Sequence, residues 1–378
     1  MTTTRFSARW AESAARGTGL IAMSAADMDL SLDPLIAEAI AERLTEPVGY
    51  PPPYTTSGVA ATLADYYRRA HGLEVPAEAF WLSTGTVSHS AALFAHLLEP
   101  GDEVLYFAPS YHGITRAIED AGCVPVGVPH DHEAGRWTPE SLADAVTGRT
   151  EAIYLCNPHN PTGHAFTRSE LEWIADLAER ENLRIFSNEL HSRTMLDRPH
   201  LPISSLSEST AERTVTFSGA TKSHNMAGIG GSFAFSHDTD LINRARRDLA
   251  MRMPTARALQ QAALRAAYQE DSPWLVRTRR TIRQARDRIC EVLSSEAPQL
   301  KFHQPAATYF LWLRWDNLRH GSDACEELFR RCGIVGLPGT FFGAEKSFVR
   351  LAFATDAKTI ENVVGRLHLG LSLRKELL

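Results

Sequence analysis

Short apolar runs alternate with helix-type patterns between about residue 55 and residue 250. The run Glu103–Phe107, bounded by Gly101 and Pro109, predicts a short buried strand. Similar runs predict further strands at 152–156, 184–187, 214–217 and 231–235. Helical spacing of apolar residues predicts helices at 59–70, 88–98 and 168–181. Strands separated by helices predict a mostly parallel sheet with helices on both faces.

The pattern changes after about residue 254. A long helical region extends to about residue 295 and is interrupted near Ser272 and Pro273. Strand-like runs at 308–313 and 347–353 flank a helical stretch around Cys325. This second half therefore predicts a smaller α+β unit.

Composition excludes several function classes. The 378 residues carry a net charge of −6, and no basic stretch is long enough to bind a nucleic-acid backbone. Five widely spaced cysteines without a Cys-x-x-Cys pair argue against a disulfide framework or a zinc site. The first 20 residues carry charges throughout, and no segment approaches the roughly 18 apolar residues of a membrane span. We expect a cytoplasmic protein without a metal.

Two segments carry the candidate chemistry. Lys222 lies in the run 218–228, where hydroxyl and small residues let an amine approach an aldehyde and let hydroxyls bind an anion. Asn160 lies in Asn-Pro-His-Asn-Pro-Thr-Gly at 157–163, a rigid turn that would fix one amide. A lysine that condenses with an aldehyde and an amide that orients the cofactor are the minimal equipment for pyridoxal phosphate chemistry. Taken singly, each segment also fits a surface lysine or a common turn.

Candidate polar residues follow the predicted strands. Tyr111, Asn160, Asn188 and Lys222 each come just after one, and ligands of parallel sheets bind at the carboxyl ends of the strands. The run 82–88 ends a strand and opens a helix, whose free N–H groups suit an anion. A simple helix cap is the alternative explanation of that run.

The order and spacing of these segments resemble the fold type I pyridoxal phosphate enzymes of the aminotransferase class I/II superfamily. Residues 23–30, Met-Ser-Ala-Ala-Asp-Met-Asp-Leu, resemble the Met-Trp-Val-Ala-Asp-Met-Asp-Phe run of the MalY/PatB-type cystathionine β-lyase branch. The resemblance extends from about residue 20 to residue 370. It implies an α/β fold with a large cofactor-binding domain at 46–275. A small domain would combine residues 1–45 and 276–378.

The resemblance also implies how the cofactor, pyridoxal 5′-phosphate, is held. Lys222 would bind its aldehyde and act as the catalytic base. Its phosphate would lie among Gly85, Thr86, Val87, Ser218 and Thr221, with Tyr50 reaching across a homodimer. Many relatives clamp the phosphate with an arginine eight residues after the lysine, where this chain has Gly230.

Further residues would bind the ring and the substrate. Tyr111 matches the aromatic residue that stacks on the ring, and Asn160 and His191 match donors to the ring's 3-oxygen. Arg350 matches the arginine that holds the substrate carboxylate through a bidentate fork. Ser24 stands where the branch has tryptophan and would border the substrate. Arg193 would favour an acidic substrate group if it faced the pocket.

Asn188 is the main departure from the resemblance, because relatives place an aspartate there to pair with the protonated ring nitrogen. Asn188 supplies no negative charge. It would either donate to an unprotonated nitrogen or accept from a protonated one, and the nitrogen's pKa should fall. A weaker electron sink favours departure of a β-substituent over transamination, although low overall activity is a competing explanation.

The favoured function is a pyridoxal phosphate-dependent lyase that cleaves a carbon–sulfur bond of a β-substituted L-amino acid to give pyruvate and ammonia. An aminotransferase is the first alternative, and a related cyclase or β-replacement enzyme is the second. A protein that kept the fold as an inactive regulatory or binding protein is the alternative outside catalysis.

Overall fold

The computed structural model describes residues 7–17, 19–316 and 324–372. The helices within these ranges are α1 (Ala8–Arg16), α2 (Pro34–Leu44), α3 (Val59–His71), α4 (Thr86–Leu97), α5 (His112–Asp120), α6 (Pro139–Ala143), α7 (Arg168–Arg180), α8 (Glu208–Glu212), α9 (Thr239–Asp248), α10 (Ala258–Gln269), α11 (Pro273–Glu296), α12 (Ala324–Arg331) and α13 (Ala357–Ser372). The strands are β1 (Ile21–Ala22), β2 (Phe80–Ser83), β3 (Glu103–Phe107), β4 (Val124–Val128), β5 (Thr150–Cys156), β6 (Arg184–Asn188), β7 (Thr214–Gly219), β8 (Ser232–Ser236), β9 (Lys301–Phe302), β10 (Phe310–Arg314), β11 (Ile334–Val335), β12 (Leu337–Pro338) and β13 (Phe348–Ala352).

A seven-stranded sheet in the described part of the chain has the order β2-β8-β7-β6-β5-β3-β4. Strands β7, β6, β5, β3 and β4 pair in parallel, whereas β8 is antiparallel to both of its neighbours. Alternate residues of the strands pack on opposite faces, because side chains alternate along a strand. Tyr154 belongs to the core with α4 and α5, and the next residue, Leu155, belongs to the core with α7. The predicted α/β fold is therefore confirmed.

Two smaller sheets lie outside the large sheet. One is antiparallel with the order β12-β13-β10-β9, and the other pairs β1 in parallel with β11. The second pairing joins the N-terminal segment to the C-terminal part of the chain. The division into two domains with the predicted boundaries stays a prediction.

The structure confirms the predicted interruption of the helical region after residue 254, because α10 and α11 are separate helices, Ser272 caps α11 through its hydroxyl and Pro273 begins it. It also contains two helices that the sequence pattern missed. Neither α1 nor α2 was predicted, and α1 is amphipathic and packs beside β1. Among the described helices, none combines the length and apolar character that a membrane crossing requires.

Candidate active site

The carboxyl ends of β2, β3, β5, β6 and β7 meet at one edge of the large sheet. Ser83, the last residue of β2, pairs with Ser232, which in turn pairs with Gly219 at the end of β7. The two serine hydroxyls are 2.8 Å apart. On the other side of β7, Cys156 at the end of β5 pairs with Asn188 at the end of β6. This register gathers the segments that carry the predicted residues.

Lys222 lies in the turn after β7 and is partly buried. Its Nζ donates a hydrogen bond to the carbonyl oxygen of Ala26 at 2.8 Å, and the hydroxyl of Tyr309 donates to the same oxygen at 3.1 Å. Burial lowers the pKa of Lys222 to about 8, with a further lowering from Arg350 and an opposing effect of Asp27. With this pKa roughly a tenth of the Lys222 side chains are neutral amines at pH 7, far more than for an ordinary lysine, and the neutral amine is the form that condenses with an aldehyde.

Asn225 fixes the segment that contacts Lys222. Its side-chain oxygen accepts from the backbone N–H of Met28 at 3.0 Å, and its amide nitrogen donates to the carbonyl of Leu30 at 2.6 Å. Its φ of 55° is one that asparagine adopts more readily than most residues. The segment 23–30, which resembles the lyase branch, and the segment 218–228, which contains Lys222, therefore form one hydrogen-bonded unit.

Arg350 lies on β13 and is 2% exposed. Its guanidinium donates to the side-chain oxygen of Asn160 at 2.9 Å and to the carbonyl of Ser24 at 2.5 Å. It lies 4.2 Å from the ring centroid of Phe310 and 4.9 Å from that of Phe342, within cation–π range. Burial lowers the pKa of Arg350 to about 9, so the group remains a cation at neutral pH.

Ser24 contributes its backbone rather than its hydroxyl to this contact. The Ser24 hydroxyl donates to the carboxylate of Glu12 on α1 at 3.1 Å. Glu12 also pairs with Arg16 at 2.8 Å. The predicted role of Ser24 in substrate binding stays a prediction.

His191 and Tyr111 complete the predicted ring-binding residues. His191 is buried beside Phe310, with ring centroids 5.3 Å apart, and its Nδ1 has no hydrogen-bond partner within the described part of the chain. Burial, followed by the charges of Lys222 and Arg350, lowers the pKa of His191 well below its usual value, so the imidazole is neutral. The ring of Tyr111 lies over Gly113, where an added Cβ would be 2.4 Å from Tyr111 Cε1.

The predicted phosphate site begins at the N-terminus of α4, where Gly85 precedes Thr86 and Val87. The backbone N–H of Gly231 donates to the carbonyl of Thr84 at 3.2 Å and so ties this terminus to the segment after Lys222. Thr221 is partly buried in that segment. The hydroxyl of Ser218 donates instead to the carbonyl of Glu189 at 3.2 Å, which leaves it no proton for a phosphate in this arrangement.

The surroundings of Gly230 leave no room for an arginine side chain at this position, where many relatives have one to bind the phosphate. Its φ is +79°, and an added Cβ would lie 3.0 Å from Gln260 Nε2 and 3.1 Å from the carbonyl oxygen of Thr84. Gln260 Nε2 donates to the carbonyl of Ile229 at 3.0 Å and so occupies this space. If the phosphate lies at the predicted site, the helix terminus would supply most of its donors within this chain.

Two predicted residues lie away from the cluster. Arg193 would have favoured an acidic substrate group only if it faced the pocket, and instead it pairs with Asp271 at 2.6 Å and lies between the rings of Tyr66 and Tyr268. The buried guanidinium needs that carboxylate and those ring faces, which are on α3, α10 and the segment after α10. Tyr50 is fully exposed in the single chain, and its role across a dimer stays a prediction.

The site fits pyridoxal phosphate by the chemistry of its donors. Lys222 supplies an amine of lowered pKa, and His191 supplies a buried ring nitrogen without a partner. Asn160 is anchored on Arg350, and Gly85 opens a helix whose first N–H groups are free for an anion. These groups come from separate elements but converge at one edge of the sheet.

Residues 19–367 match the sequence model of the family described as aminotransferase class I and II. The chain belongs to this family. It is 28% identical over 367 residues to the cystathionine β-lyase PatB of Bacillus subtilis (strain 168), covering 94% of this chain and 93% of PatB. It is also 28% identical over 387 residues to an aspartate aminotransferase of Bacillus sp. (strain YM-2), covering 97% and 95%.

The fold matches solved structures of the same kind. Cystalysin from Treponema denticola, whose crystal structure contains pyridoxal 5′-phosphate, superposes with a TM-score of 0.90 at 22% identity, covering 99% of this chain and 98% of cystalysin. The prediction of a fold type I pyridoxal phosphate enzyme is confirmed, and with it pyridoxal phosphate as the cofactor of the family. Carbon–sulfur lyases and aminotransferases both occur among the relatives.

The sequence did not reveal several residues of the site. The carbonyl of Ala26 is a backbone group, for which no side-chain pattern exists. Tyr154 belongs to no recognisable sequence motif, but its hydroxyl accepts a hydrogen bond from Asn188. The strand period would have placed Tyr154 on the same face as residue 156 of β5, and the pairing with β6 would then have suggested the contact.

Proposed function

We propose that the protein is a pyridoxal phosphate-dependent carbon–sulfur lyase. Its substrate class is an L-amino acid with a sulfur substituent on Cβ, which it converts to pyruvate, ammonia and a thiol. The observation that carries this proposal is the shared anchoring of Lys222 and Arg350. Both donate to backbone carbonyls of the segment 23–30, at Ala26 and Ser24, and this is the segment that resembles the lyase branch.

Arg350 would bind the substrate's α-carboxylate. The guanidinium is already oriented by Asn160 and by the rings of Phe310 and Phe342, so little freedom is lost when a carboxylate replaces a backbone contact. Tyr111 would lie against the cofactor ring and exclude water from one side. Holding the carboxylate in one place selects which bond of Cα can react.

Lys222 would hold the cofactor and then move a proton. When bound, the cofactor supplies an aldehyde that bonds amines and a ring that takes up electrons from Cα. Lys222 Nζ removes the proton from Cα as a general base, and its lowered pKa suits this task near neutral pH. The electron pair then expels the sulfur substituent from Cβ as a thiolate, which takes up a proton, and water releases pyruvate and ammonia.

An aminotransferase is the second candidate. The aspartate aminotransferase relative is as similar in sequence as the lyase PatB, which favours this alternative. Against it stands Asn188, which supplies no negative charge beside the ring nitrogen. Transamination depends on charge stored on the ring, whereas elimination needs only the departure of the β-substituent.

The test measures two products from one incubation. L-Cystathionine or S-methyl-L-cysteine is incubated with cofactor-loaded protein and with a panel of 2-oxo acids, and pyruvate is quantified against newly formed amino acids. We expect pyruvate and thiol in equal amounts and little new amino acid. Transfer of the amino group in excess of pyruvate formation would overturn the proposal in favour of an aminotransferase. Lys222→Ala is the control for activity from contaminating enzymes.

We further propose that the working form is a cytoplasmic homodimer in which Tyr50 contacts the cofactor phosphate of the partner. Tyr50 is fully exposed in the single chain, and Leu44 and Val48 near it are also exposed. Exposed apolar residues close together are typical of an interaction surface. The missing arginine at Gly230 increases the need for such a phosphate contact.

A further inference from the structure

Asn188, at the carboxyl end of β6, and Tyr154, on the neighbouring strand β5, form a hydrogen-bonded pair beside the candidate site. Asn188 ends β6, which lies between the strands that precede Asn160 and Lys222. Its amide nitrogen donates to the hydroxyl of Tyr154 at 2.6 Å, and its side-chain oxygen accepts from the backbone N–H of Leu190 at 3.1 Å. Asn188 is 9% exposed and Tyr154 1% exposed, so water competes little for these bonds.

The backbone of Leu190 fixes which way the amide points. The oxygen and nitrogen of an asparagine side chain have similar shapes, and the hydrogen-bond partners decide their assignment. A reversed amide would place its NH2 group against the N–H of Leu190, so that two donors would face each other. The oxygen of Asn188 is therefore oriented toward Leu190, and the nitrogen is oriented toward Tyr154.

Strand register brings Tyr154 to this position. Tyr154 pairs with Phe186, and Cys156 pairs with Asn188, across the parallel strands β5 and β6. Tyr154 and Asn188 are thus diagonal neighbours on one face of the sheet, a separation that a long aromatic side chain spans. The contact is a consequence of the sheet and does not depend on a mobile loop.

We propose that Asn188 offers an N–H donor to the cofactor's ring nitrogen, which is thereby held unprotonated at neutral pH, and that Tyr154 is the positioning residue. The inference rests on the proposed function only in taking pyridoxal phosphate as cofactor and Asn188 as the neighbour of its ring nitrogen. The amide nitrogen carries two hydrogens, and the bond to Tyr154 leaves one for the ring. A protonated ring nitrogen would face this N–H as a second donor.

This arrangement decides between two states that the sequence left open. An asparagine could accept from a protonated ring nitrogen only through its oxygen, which the bond from Leu190 holds toward the backbone, whereas the second amide hydrogen can only donate and so favours an unprotonated ring nitrogen. A ring with an unprotonated nitrogen takes up electrons less readily. The electron pair released at Cα would therefore be used sooner to expel the substituent on Cβ. The inference thus supplies a physical reason for elimination over transamination.

The direct test is nuclear magnetic resonance of the ring nitrogen. The protein is loaded with pyridoxal phosphate enriched in ¹⁵N at the ring, and the ¹⁵N chemical shift is followed across neutral pH. We expect the resonance of an unprotonated, hydrogen-bonded pyridine in the wild type. In Asn188→Asp the resonance should move to the position of a pyridinium, because the carboxylate accepts from the ring, from Leu190 and from Tyr154. A pyridinium resonance in the wild type at neutral pH would overturn the inference.

Tyr154→Phe tests the positioning role, and Tyr106→Phe is its matched control. Tyr106 is the register partner of Tyr154 on β3 and is one strand farther from Asn188. Without its acceptor the Asn188 amide is held less firmly, so the pH at which the ring resonance titrates should lie between those of the wild type and Asn188→Asp. Tyr106→Phe should leave the titration unchanged. A Tyr154→Phe titration identical to the wild type would disprove the role of Tyr154.

The outcome is separate from the test of the lyase. The spectrum requires only that the cofactor binds, and the wild-type spectrum alone gives the protonation state, whether or not a variant folds. Pyruvate formation is measured in a different experiment. A protein that transaminates with an unprotonated ring would contradict the proposed function while supporting the inference.

Discussion

At the scale of single residues, Arg350, the proposed ligand of the substrate carboxylate, is already held in one orientation by its neighbours. Asn160 and Ser24 each accept one of its hydrogen bonds, and two aromatic rings lie against the guanidinium. Lysine keeps the positive charge but cannot form the planar two-point contact with a carboxylate. The geometry of the fork, and not the charge alone, should therefore govern substrate affinity.

Arg350→Lys is expected to lower kcat/KM, mainly through a higher KM. Losing one hydrogen bond between charged groups costs about 1.5–3 kcal/mol, or roughly ten- to a hundredfold in affinity. Steady-state kinetics with a thioether amino acid measures the effect. Arg314→Lys, at a partly exposed ion pair on β10, is the control and should leave both constants near wild type. An unchanged KM in Arg350→Lys would exclude a role in binding the carboxylate.

Lys222 should lower the stability of the cofactor-free protein. Its pKa falls from 10.5 to about 8 on folding. Below pH 8 the lysine is therefore protonated in both the folded and the unfolded chain. The folded protein then carries the full free-energy cost of burying the charge. Between about pH 8 and 10.5 the unfolded chain binds a proton that the folded protein has released, so the free energy of unfolding rises with pH.

Lys222→Met should therefore raise the unfolding midpoint of the cofactor-free protein at neutral pH. The difference from wild type should shrink as pH rises through the same window, because the wild-type lysine loses its charge there. Thermal unfolding at several pH values measures it, with Lys358→Met, at an exposed position, as control. A variant less stable than wild type at neutral pH would contradict the pKa assignment.

At the scale of elements, the junction between α4 and the segment after Lys222 depends on Gly230. A residue with a side chain is strained at its φ of +79°, and an added Cβ would press on the carbonyl oxygen of Thr84. Gly230→Ala should cost about 1–2 kcal/mol of stability and weaken cofactor binding, because Thr84 precedes the helix terminus that is predicted to bind the phosphate. Denaturant unfolding and cofactor titration measure both effects.

Gly228→Ala is the matched control for this change. Gly228 is exposed, and an added Cβ would meet no atom within 4 Å. It should change neither stability nor cofactor affinity appreciably. If the two substitutions had equal effects, the special backbone conformation of Gly230 would not be what keeps the predicted phosphate site in place.

The elements themselves could largely be predicted from the sequence, but the contacts between them could not. The buried run Glu103–Phe107 has the predicted bounds, because strong apolar periodicity between turn residues leaves little choice. The orientation of Arg193 could not be predicted, since its partner Asp271 lies 78 residues away and no local pattern signals such a pair. The pairing of Asn188 with Tyr154 required the strand register, which a single sequence does not specify.

At the scale of the whole molecule, a site shared across a dimer makes a quantitative prediction. A homodimer of Lys222→Ala would have two inactive sites, and a homodimer of Tyr50→Ala would have two weakened sites. In a mixed dimer, one site contains both intact residues and the other contains both defects. Random mixing should then recover roughly a quarter of wild-type activity by the symmetry of such a dimer.

The measurement uses the two variants produced separately and then unfolded and refolded together, with each variant refolded alone as control. Recovery of activity only in the mixture supports a shared site. If Tyr50 acts within its own chain, the mixture will show no more activity than the average of the two separate variants.

The covalent role of Lys222 is tested most directly by reducing the cofactor-loaded protein with sodium borohydride and mapping the modified peptide by mass spectrometry. The position of Lys222, beside Arg350 and under the carbonyl of Ala26, predicts one stable pyridoxyl group on its Nζ. Loss of the visible cofactor absorbance should accompany this modification. A reduced protein in which Lys222 is unmodified, or in which another lysine carries the group, would contradict the account.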